Sequence, residues 1–448
     1  MRKNNYVTDL THGNIIHHLI SFSIPLMLGN LFQLSYNMVD TIVIGRFAGS
    51  VSLAAVGTCD QIMTLLILGV SGVCVGASVL MGHFFGAGDR DQLLEEMKTT
   101  VSMGLVFSFL VLAAGIPLSG AFFRLMHVQP EALADATVYL RVVFIGMPFT
   151  CLYNIYAAAL RSVGDSRTPV RYLILSCVIN TLLDLLLVAV FHLGVLGAAL
   201  ATAAAQGVSA LLCIIHVSRN VRELHFSWRK LGINRALARK TMTYGGLSAL
   251  QQCAQPIGNL IIQGSINTLG ITAAAAFSAA RKIEDIGLLP GRSISVSMTS
   301  LIAQNMGAGE KKRIEQGFQK GMLLETCSGL LVCAVILLLR GRLMSLFSAD
   351  PEIIRAGRDY FQIIGFCYFL PCLSNGIQGY FRGIGAMKTS LFASLTQISF
   401  RVLATLLLAP RIGISGVALA CIIGWSAMLL WTIPWRRYLK KNLAESPH

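Results

Sequence analysis

The sequence has little charge for its length. Charged residues make up 13% of its 448 residues, about half the share of roughly 25% in ordinary globular chains. A soluble protein of this size needs more charge to cover its surface, and a disordered chain needs a polar composition, so both classes are excluded. Hydrophobic residues make up 54% of the chain, and the mean hydropathy is +0.66. The surroundings of this protein are therefore mostly lipid.

Several motifs of nucleotide-dependent and metal-dependent enzymes are missing. There is no glycine-rich loop followed by Lys and Ser or Thr, no HExxH and no GxSxG. The eleven cysteines form no CxxC pair or Cys/His cluster, so we interpret them as small apolar side chains in helices. Gly-Ala-Gly segments at 86–88 and 307–309 are predicted to be tight turns. ATP is not expected as the direct energy source, and no cofactor, structural metal or enzymatic activity is predicted.

Twelve apolar stretches are long enough to cross a bilayer as a helix, which takes about 20 residues. Their approximate limits are 15–45, 52–83, 95–119, 134–159, 169–191, 195–217, 238–266, 272–303, 317–339, 357–382, 388–409 and 414–435. The stretches are continuously apolar and do not alternate with a period of two, which favours helices over transmembrane strands. The predicted fold class is an all-α integral membrane protein with twelve transmembrane helices.

Lysine and arginine are distributed unequally between the gaps. One set of gaps is rich in them: Arg2, Lys3, Arg90, Arg161, Arg167, Arg171, Arg219, Arg222, Arg229, Lys230, Arg235, Arg239, Lys240, Lys311, Lys312, Arg313, Arg436, Arg437, Lys440 and Lys441. The opposite gaps mainly hold Arg46, Arg124, Arg340, Arg342 and Arg411. The positive-inside rule then places both termini in the cytoplasm, with the protein in the plasma (inner) membrane among lipids. The net charge of +15 is a topology signal under this interpretation, so no nucleic acid partner is expected.

The chain contains an internal repeat. Three segments recur at an offset of 221 residues: 83–89 as 304–310, 130–131 as 351–352, and 160–164 as 381–385. Three separated matches in one register indicate two homologous halves.

We therefore predict two lobes, 1–218 and 241–448, joined by a cytoplasmic linker at 219–240. Six helices in each lobe keep both lobes in the same orientation, related by a pseudo-two-fold axis along the membrane normal. Two such lobes around a central cleft are typical of a secondary transporter that works by alternating access.

These motifs resemble the multidrug and toxic compound extrusion (MATE) family, and the resemblance covers essentially the whole chain. The segments that carry it are Ser23-Ile24-Pro25, Asp40, Gly86-Ala87-Gly88, Leu160-Arg161-Ser162-Val163-Gly164-Asp165, Gly307-Ala308-Gly309 and Phe381-Arg382-Gly383-Ile384-Gly385. The resemblance implies secondary active efflux of amphipathic organic cations in exchange for H⁺ or Na⁺.

Within the family the chain is most similar to the DinF-like branch, which implies a cation-coupling site in the N-terminal lobe. Matched residue by residue, that site consists of Asp40, Asn180, Asp184 and Thr202, and Na⁺ would bind at the same four positions. The NorM-like branch has acidic residues in spans seven and ten. In place of those acids, the spans here offer amides: Gln251, Gln252, Gln255, Asn259, Asn375 and Gln378.

The chemistry of these four residues suits ion coupling. An ionised aspartate at mid-membrane costs about 2.5–3.5 kcal/mol, so such residues are functional candidates. Asn180 and Asp184 are four residues apart and lie on one helix face. A carboxyl and an amide together can share a proton or coordinate a small cation through oxygens. The alternative is a polar contact between helices, worth about 0.6–1.7 kcal/mol.

A cavity for bulky organic cations needs apolar and aromatic walls with a few acceptors. The candidate substrate-binding residues are Met27, Gln33, Tyr36, Asn37, Met63, Tyr139, Met147, Tyr153 and Arg281. The alternative for each is ordinary packing or contact with lipid. Arg281 is also expected to pair with Glu284 or Asp285, three and four residues further along the helix.

One other function stays open at this stage. A lipid-linked oligosaccharide flippase of the same superfamily would favour a strongly cationic cavity and usually fourteen spans. A membrane-embedded enzyme would need an Asp-rich metal motif or a histidine at the membrane surface, and neither appears in the sequence. We therefore expect an efflux transporter that acts as a monomer on small organic cations and H⁺ or Na⁺.

Overall fold

The computed structural model describes residues 7–125 and 128–445, with side chains described up to residue 441. Arg2 and Lys3 of the predicted basic set lie outside the described residues. The α-helices are α1 (Ile15–Phe47), α2 (Gly49–Gly86), α3 (Arg90–Leu125), α4 (Pro130–Ser162), α5 (Arg167–Asp184), α6 (Gly194–Asn220), α7 (Arg235–Asn267), α8 (Ile271–Gly287), α9 (Leu289–Gly307), α10 (Lys311–Ser345), α11 (Pro351–Ile364), α12 (Phe369–Gly383), α13 (Met387–Ile412) and α14 (Ile414–Glu445). All regular secondary structure in the described ranges is helical.

The helices account for the predicted twelve spans. In the described part of the chain, nine are long and apolar enough to cross a membrane, and the bent pairs α8–α9 and α11–α12 bring the number to eleven. α7 is the twelfth; its 33 residues would extend about 50 Å at 1.5 Å per residue. Its arginines and amides make it too polar to qualify by hydropathy alone. The prediction of an all-α protein with twelve helical spans is confirmed.

Two of the spans are broken. α8 and α9 meet at 43°, and α11 and α12 meet at 49°. Pro290 stands in the first turn of α9 and Pro371 near the start of α12. Proline removes a backbone hydrogen bond and clashes with the preceding turn, which explains bends at these places.

Glycines at repeat-related turns have the same unusual backbone conformation. The φ angle is 71° at both Gly88 and Gly309, and it is 87° at Gly164 and 79° at Gly385. Side chains disfavour this left-handed region, so each turn needs glycine. The turns also share their hydrogen bonds, since the Asp89 nitrogen donates to the Phe84 oxygen as Glu310 does to Asn305. The repeat found in the sequence is therefore also a repeat of structure.

The chain packs as two compact units. Unit 1 comprises the residues up to Asp9 and Pro25–Ala249, and unit 2 comprises Leu10–Ile24 and everything from Leu250 onward. The divisions fall inside α1, at Pro25, and inside α7. The lobes predicted from the repeat, 1–218 and 241–448, remain a prediction.

The first half of α7 packs against α2 through glycines, within unit 1. A Cβ atom on Gly76 would lie 2.3 Å from the Gly245 nitrogen, and one on Gly72 would lie 2.3 Å from the Ala249 Cα. Approach this close requires a glycine on at least one helix, as is common where membrane helices pack. These glycines therefore set the spacing between α2 and α7.

We expect Gly76→Ala to destabilise the protein, because the new methyl group must push the α7 backbone away. Overpacking of this kind costs about 1–3 kcal/mol. Gly69→Ala is the matched control, since no atom lies within 4 Å of its Cβ position on the same helix, and alanine favours the helix by about 0.8–1 kcal/mol. Thermal unfolding in detergent should show a lower midpoint for Gly76→Ala only. Equal midpoints for the two variants would contradict this packing argument.

Candidate cation site

Three helices of unit 1 bring the four predicted coupling residues together. Asp40 lies on α1, Asn180 and Asp184 on α5, and Thr202 on α6. Asp184 is fully buried and Asn180 nearly so, whereas Asp40 and Thr202 are half-buried. The four-residue spacing on α5 places the amide and the carboxyl one turn apart on the buried side.

Asn180 links α5 to α6. With the amide oriented so that both of its polar atoms face complementary partners, its nitrogen donates to Asp184 Oδ2 at 3.1 Å and its oxygen accepts from the Thr202 backbone nitrogen at 3.3 Å. The Thr202 hydroxyl lies 3.5 Å from the same amide group. The amide therefore holds the Asp184 carboxyl in one orientation.

Asp40 and Asp184 form a carboxyl pair. Their side chains are hydrogen-bonded to each other. An ionised carboxylate can only accept, so such a bond forms when one partner carries a proton. The remaining oxygen, Oδ1, of each residue is buried and has no donor among the residues that the structure describes. Such a pair can share one proton, and it has unused acceptor capacity.

The helix changes geometry directly after Asp184. Residues Leu185–Val190 form a π-helical turn. π-Helical turns are rare and occur frequently at functional sites, since they displace the helix ladder by one residue. Because of this turn, α5 can direct Asp184 to its buried side while the apolar residues 185–190 complete the span.

A small cleft lies beside the four residues. It is lined by Tyr36, Leu173, Ser176, Cys177, Asn180, Thr202, Ala205 and Gln206. The space open to the centre of a water-sized occupant is about 10 Å³, close to the roughly 10–15 Å³ that one water molecule needs. This space can hold one water molecule or a small ion.

The predicted substrate-binding residues are spread over different environments. Tyr36 lines the cleft, and Met63, Tyr139 and Met147 are buried in the hydrophobic core of unit 1. The others are half-buried or exposed: Met27, Gln33, Asn37, Tyr153 and Arg281. Arg281 belongs to unit 2, on α8. Tyr36 is the one member of this set that lines the cleft.

Two residues near the carboxyl pair were not assigned to the cation site from the sequence, although Tyr139 was among the candidate substrate-binding residues. Asp60, on α2, interacts electrostatically with Asp40, and Tyr139, on α4, interacts with both. Asp60 was recognisable from the sequence as a candidate, because it is an acidic residue within an apolar span. Nothing in the sequence pattern identified Tyr139 as its neighbour, because that depends on how α2 packs against α4.

Unit 2 has a buried polar network centred on Glu284. The carboxylate Oε1 accepts from the hydroxyls of Tyr360 and Tyr368, each at 2.7 Å. Asp285 pairs with Arg292 at 2.9 Å. The expected ion pair of Arg281 with one of these acids is therefore wrong. Residues from the next broken span reach Glu284, and Arg292 lies across the α8–α9 break, which local spacing does not reveal.

The amides of spans seven and ten bind one another within unit 2. Gln251 donates to Gln378 and to the Ser394 hydroxyl, and Gln255 donates to Gln397 at 3.0 Å. In the described residues, no group of three or more His, Cys, Asp or Glu side chains is placed to hold a metal ion. These amides therefore form a hydrogen-bonded cluster, and Asn259 of the same span accepts from the Arg401 guanidinium at 3.3 Å.

Comparisons with known proteins agree with this architecture. Probable multidrug resistance protein YpnP of Bacillus subtilis is 29% identical over 426 residues, which cover 92% of each chain. Multidrug export protein MepA of Staphylococcus haemolyticus is 23% identical, covering 96% of this chain and 94% of that protein. An outward-facing structure of a multidrug resistance MATE family transporter of the MOP superfamily superposes with a TM-score of 0.93 at 22% identity, over 99% of this chain and 100% of that one. The last likeness shows a shared fold.

The sequence also matches a family model over both halves of the internal repeat. The MatE model covers residues 25–186 and 248–407, which is more than half of the chain. Its two matched regions contain Asp40, Asn180 and Asp184 in the first and Glu284 in the second. This multi-pass membrane protein therefore belongs to the MatE family of multidrug and toxic compound extrusion transporters.

Proposed function

We propose that this protein exports amphipathic organic cations in exchange for H⁺, with Asp40 and Asp184 as the proton-carrying groups. The observation that carries the proposal is the hydrogen bond between the two carboxyl groups. It requires one bound proton and leaves one negative charge on the pair. Membership of a transporter family and the similarity to proteins named for multidrug export support the substrate class.

The geometry favours H⁺ over Na⁺. Sodium would need several oxygen ligands. The oxygens available to coordinate it belong to the two carboxyls, the Asn180 amide and the Thr202 hydroxyl. In the present arrangement the carboxyls bind each other, and Asn180 donates an N–H to Asp184. A donor directed at a carboxylate competes with a cation for the same oxygen. Na⁺ coupling is the alternative that the experiment below separates.

The pair can bind either a second proton or an organic cation, but not both at once. With one proton bound, the pair's remaining negative charge attracts an organic cation, and Tyr36 offers an aromatic face nearby. Uptake of a second proton from outside neutralises that charge and weakens the attraction. The cation then leaves outward, and the proton is released to the cytoplasm when the site faces inward.

The membrane setting supplies enough energy for this exchange. Each proton that moves down a gradient of one pH unit releases about 1.4 kcal/mol, and each proton in excess of the exported charge gains about 2.3 kcal/mol more per 100 mV. The basic gaps support an orientation with both termini in the cytoplasm of a plasma membrane. Six spans in each predicted lobe support a monomer as the transporting unit.

We expect wild-type protein in proteoliposomes to accumulate ethidium when the lumen is acidic, and not when the lumen is loaded with Na⁺ at equal pH. Lumenal protons would leave as the dye enters, and a permanently charged dye is not trapped by pH alone. Potassium and valinomycin should clamp the membrane potential, and protein-free liposomes give the background. Accumulation driven by Na⁺ alone would overturn proton coupling. Failure to move any organic cation would overturn the drug-export proposal and favour the lipid flippase.

A further inference from the structure

A second buried carboxyl group lies in unit 2, and it has no role in the proposed function. Glu325 stands near the middle of α10 and is 0% exposed. Both of its carboxyl oxygens lack a hydrogen-bond partner among the described residues. This differs from Glu284 in the same unit, whose Oε1 accepts from two tyrosine hydroxyls.

The Glu325 side chain occupies a crevice made by two glycines. A Cβ atom on Gly291 would lie 2.9 Å from Glu325 Oε2 and 3.1 Å from the Cys372 sulfur. A Cβ atom on Gly376 would lie 3.1 Å from Glu325 Cγ. Any larger residue at Gly291 would therefore collide with the carboxyl group. The two glycines leave a space that the carboxyl fills.

This crevice lies directly after the two breaks in unit 2. Gly291 is in the first turn of α9, after the 43° bend from α8, and Gly376 is about two turns into α12, after the 49° bend from α11. Broken helices at membrane depth commonly surround ion and substrate sites in transporters. Packing of α9 and α12 around α10 thus closes the crevice over Glu325.

The charged and titratable groups that face Glu325 do not neutralise it. Arg382 on α12 interacts with it electrostatically, but the guanidinium donates to the Ser295 hydroxyl at 2.8 Å. Cys372 is the other titratable neighbour on α12. An ionised carboxylate without a donor costs several kcal/mol in such surroundings. The closed crevice therefore selects the neutral carboxylic acid.

We propose that Glu325 is a second proton-binding site, which holds a proton while α9 and α12 pack around it and releases that proton to water when the crevice opens. The ligand is a single proton, taken from water and returned to water. The site is independent of Asp40 and Asp184, which lie in unit 1. It would make the conformation of the two broken spans in unit 2 sensitive to pH. The alternative is a purely structural role, in which the carboxyl group stays neutral at every pH and only fills space.

Infrared difference spectroscopy over a pH titration tests the proposal directly. Wild-type protein should show the carbonyl stretch of a protonated carboxyl that is missing in Glu325→Gln and in the apolar variant Glu325→Met. That band should disappear reversibly as pH rises while the protein stays folded. Glu284→Gln is the matched control and should retain the band. A band that persists to the highest pH, or no band assigned to Glu325 at any pH, would overturn the proposal.

Labelling of Cys372 with N-ethylmaleimide gives a second readout of crevice opening. Cys372 is 0% exposed, and Cys421 on α14 is a buried reference in the same unit. Mass spectrometry of the peptides yields the ratio of labelling at the two cysteines. At high pH we expect this ratio to be about fivefold greater in wild type than in Glu325→Gln, because only the wild-type carboxyl becomes charged. Equal ratios at every pH in the two proteins would count against the proposed site.

Discussion

Replacing Asp184 with asparagine is expected to abolish uphill transport of organic cations while leaving the protein folded. Asparagine keeps the shape of the side chain and its contact with Asn180, but it cannot bind and release a proton. In a one-for-one exchange of H⁺ for a monovalent cation, each pH unit across the membrane supports about a tenfold concentration ratio, so loss of the coupled proton removes a gradient of that size. The measurement is steady-state ethidium accumulation in proteoliposomes under an imposed pH gradient.

Two comparisons make this prediction specific. Asp285→Asn is the control, because that carboxylate forms a partly exposed ion pair with Arg292 and should not affect accumulation. Asp40→Asn should match Asp184→Asn, and the double variant should be no worse than either, since residues that act as a unit are not additive. Wild-type accumulation by a folded Asp184→Asn variant would show that the pair is only a polar contact between helices.

Removal of both tyrosine hydroxyls around Glu284 is expected to destabilise unit 2 severely. Tyr360 and Tyr368 are 0% exposed, and each donates to the same carboxylate oxygen at 2.7 Å. Hydrogen bonds to charged groups contribute about 1.5–3 kcal/mol each, so the variant with both Tyr→Phe changes should lose about twice that amount. The thermal unfolding midpoint in detergent should fall well below that of either single variant.

A mutant cycle with Glu284→Gln separates this network from the loss of tyrosine packing. The two Tyr→Phe changes should cost much less in the Glu284→Gln background, where no charge depends on the hydroxyls. Arg401 also interacts electrostatically with Glu284 and is present in every member of the cycle. If the cost were the same in both backgrounds, the hydroxyls would be stabilising something other than the Glu284 carboxylate.

Local sequence patterns predicted the candidate site in part. The four-residue spacing of Asn180 and Asp184 predicted their shared helix face, and the structure has the amide donating to that carboxyl. The pairing of Asp40 with Asp184 followed only from the family resemblance, because α1 and α5 are far apart in the chain. H⁺ coupling, assignment to the DinF-like branch and the roles of the substrate-binding candidates remain predictions.

The ion pair that was expected between Arg281 and Glu284 or Asp285 does not form, for a related reason. Spacing along one helix offered Arg281 three and four residues away, but the bend at Pro290 redirects the chain and brings Arg292 to Asp285. Tyr360 and Tyr368 come from the other broken span. Residue spacing identifies neighbours on one straight helix. It does not indicate the direction in which the next helix continues after a break.

The sequence by itself determined that the chain is an all-helical membrane protein with twelve spans and an internal repeat. Length and hydropathy suffice for that, since a backbone in lipid must satisfy its hydrogen bonds within each helix. The tertiary structure alone decided which polar groups meet. Asp40 reaches Asp184, tyrosines from a broken span satisfy Glu284, and Glu325 is enclosed without a partner between Gly291 and Gly376. These contacts depend on bends and close helix packing between residues distant in sequence, which a one-dimensional pattern does not record.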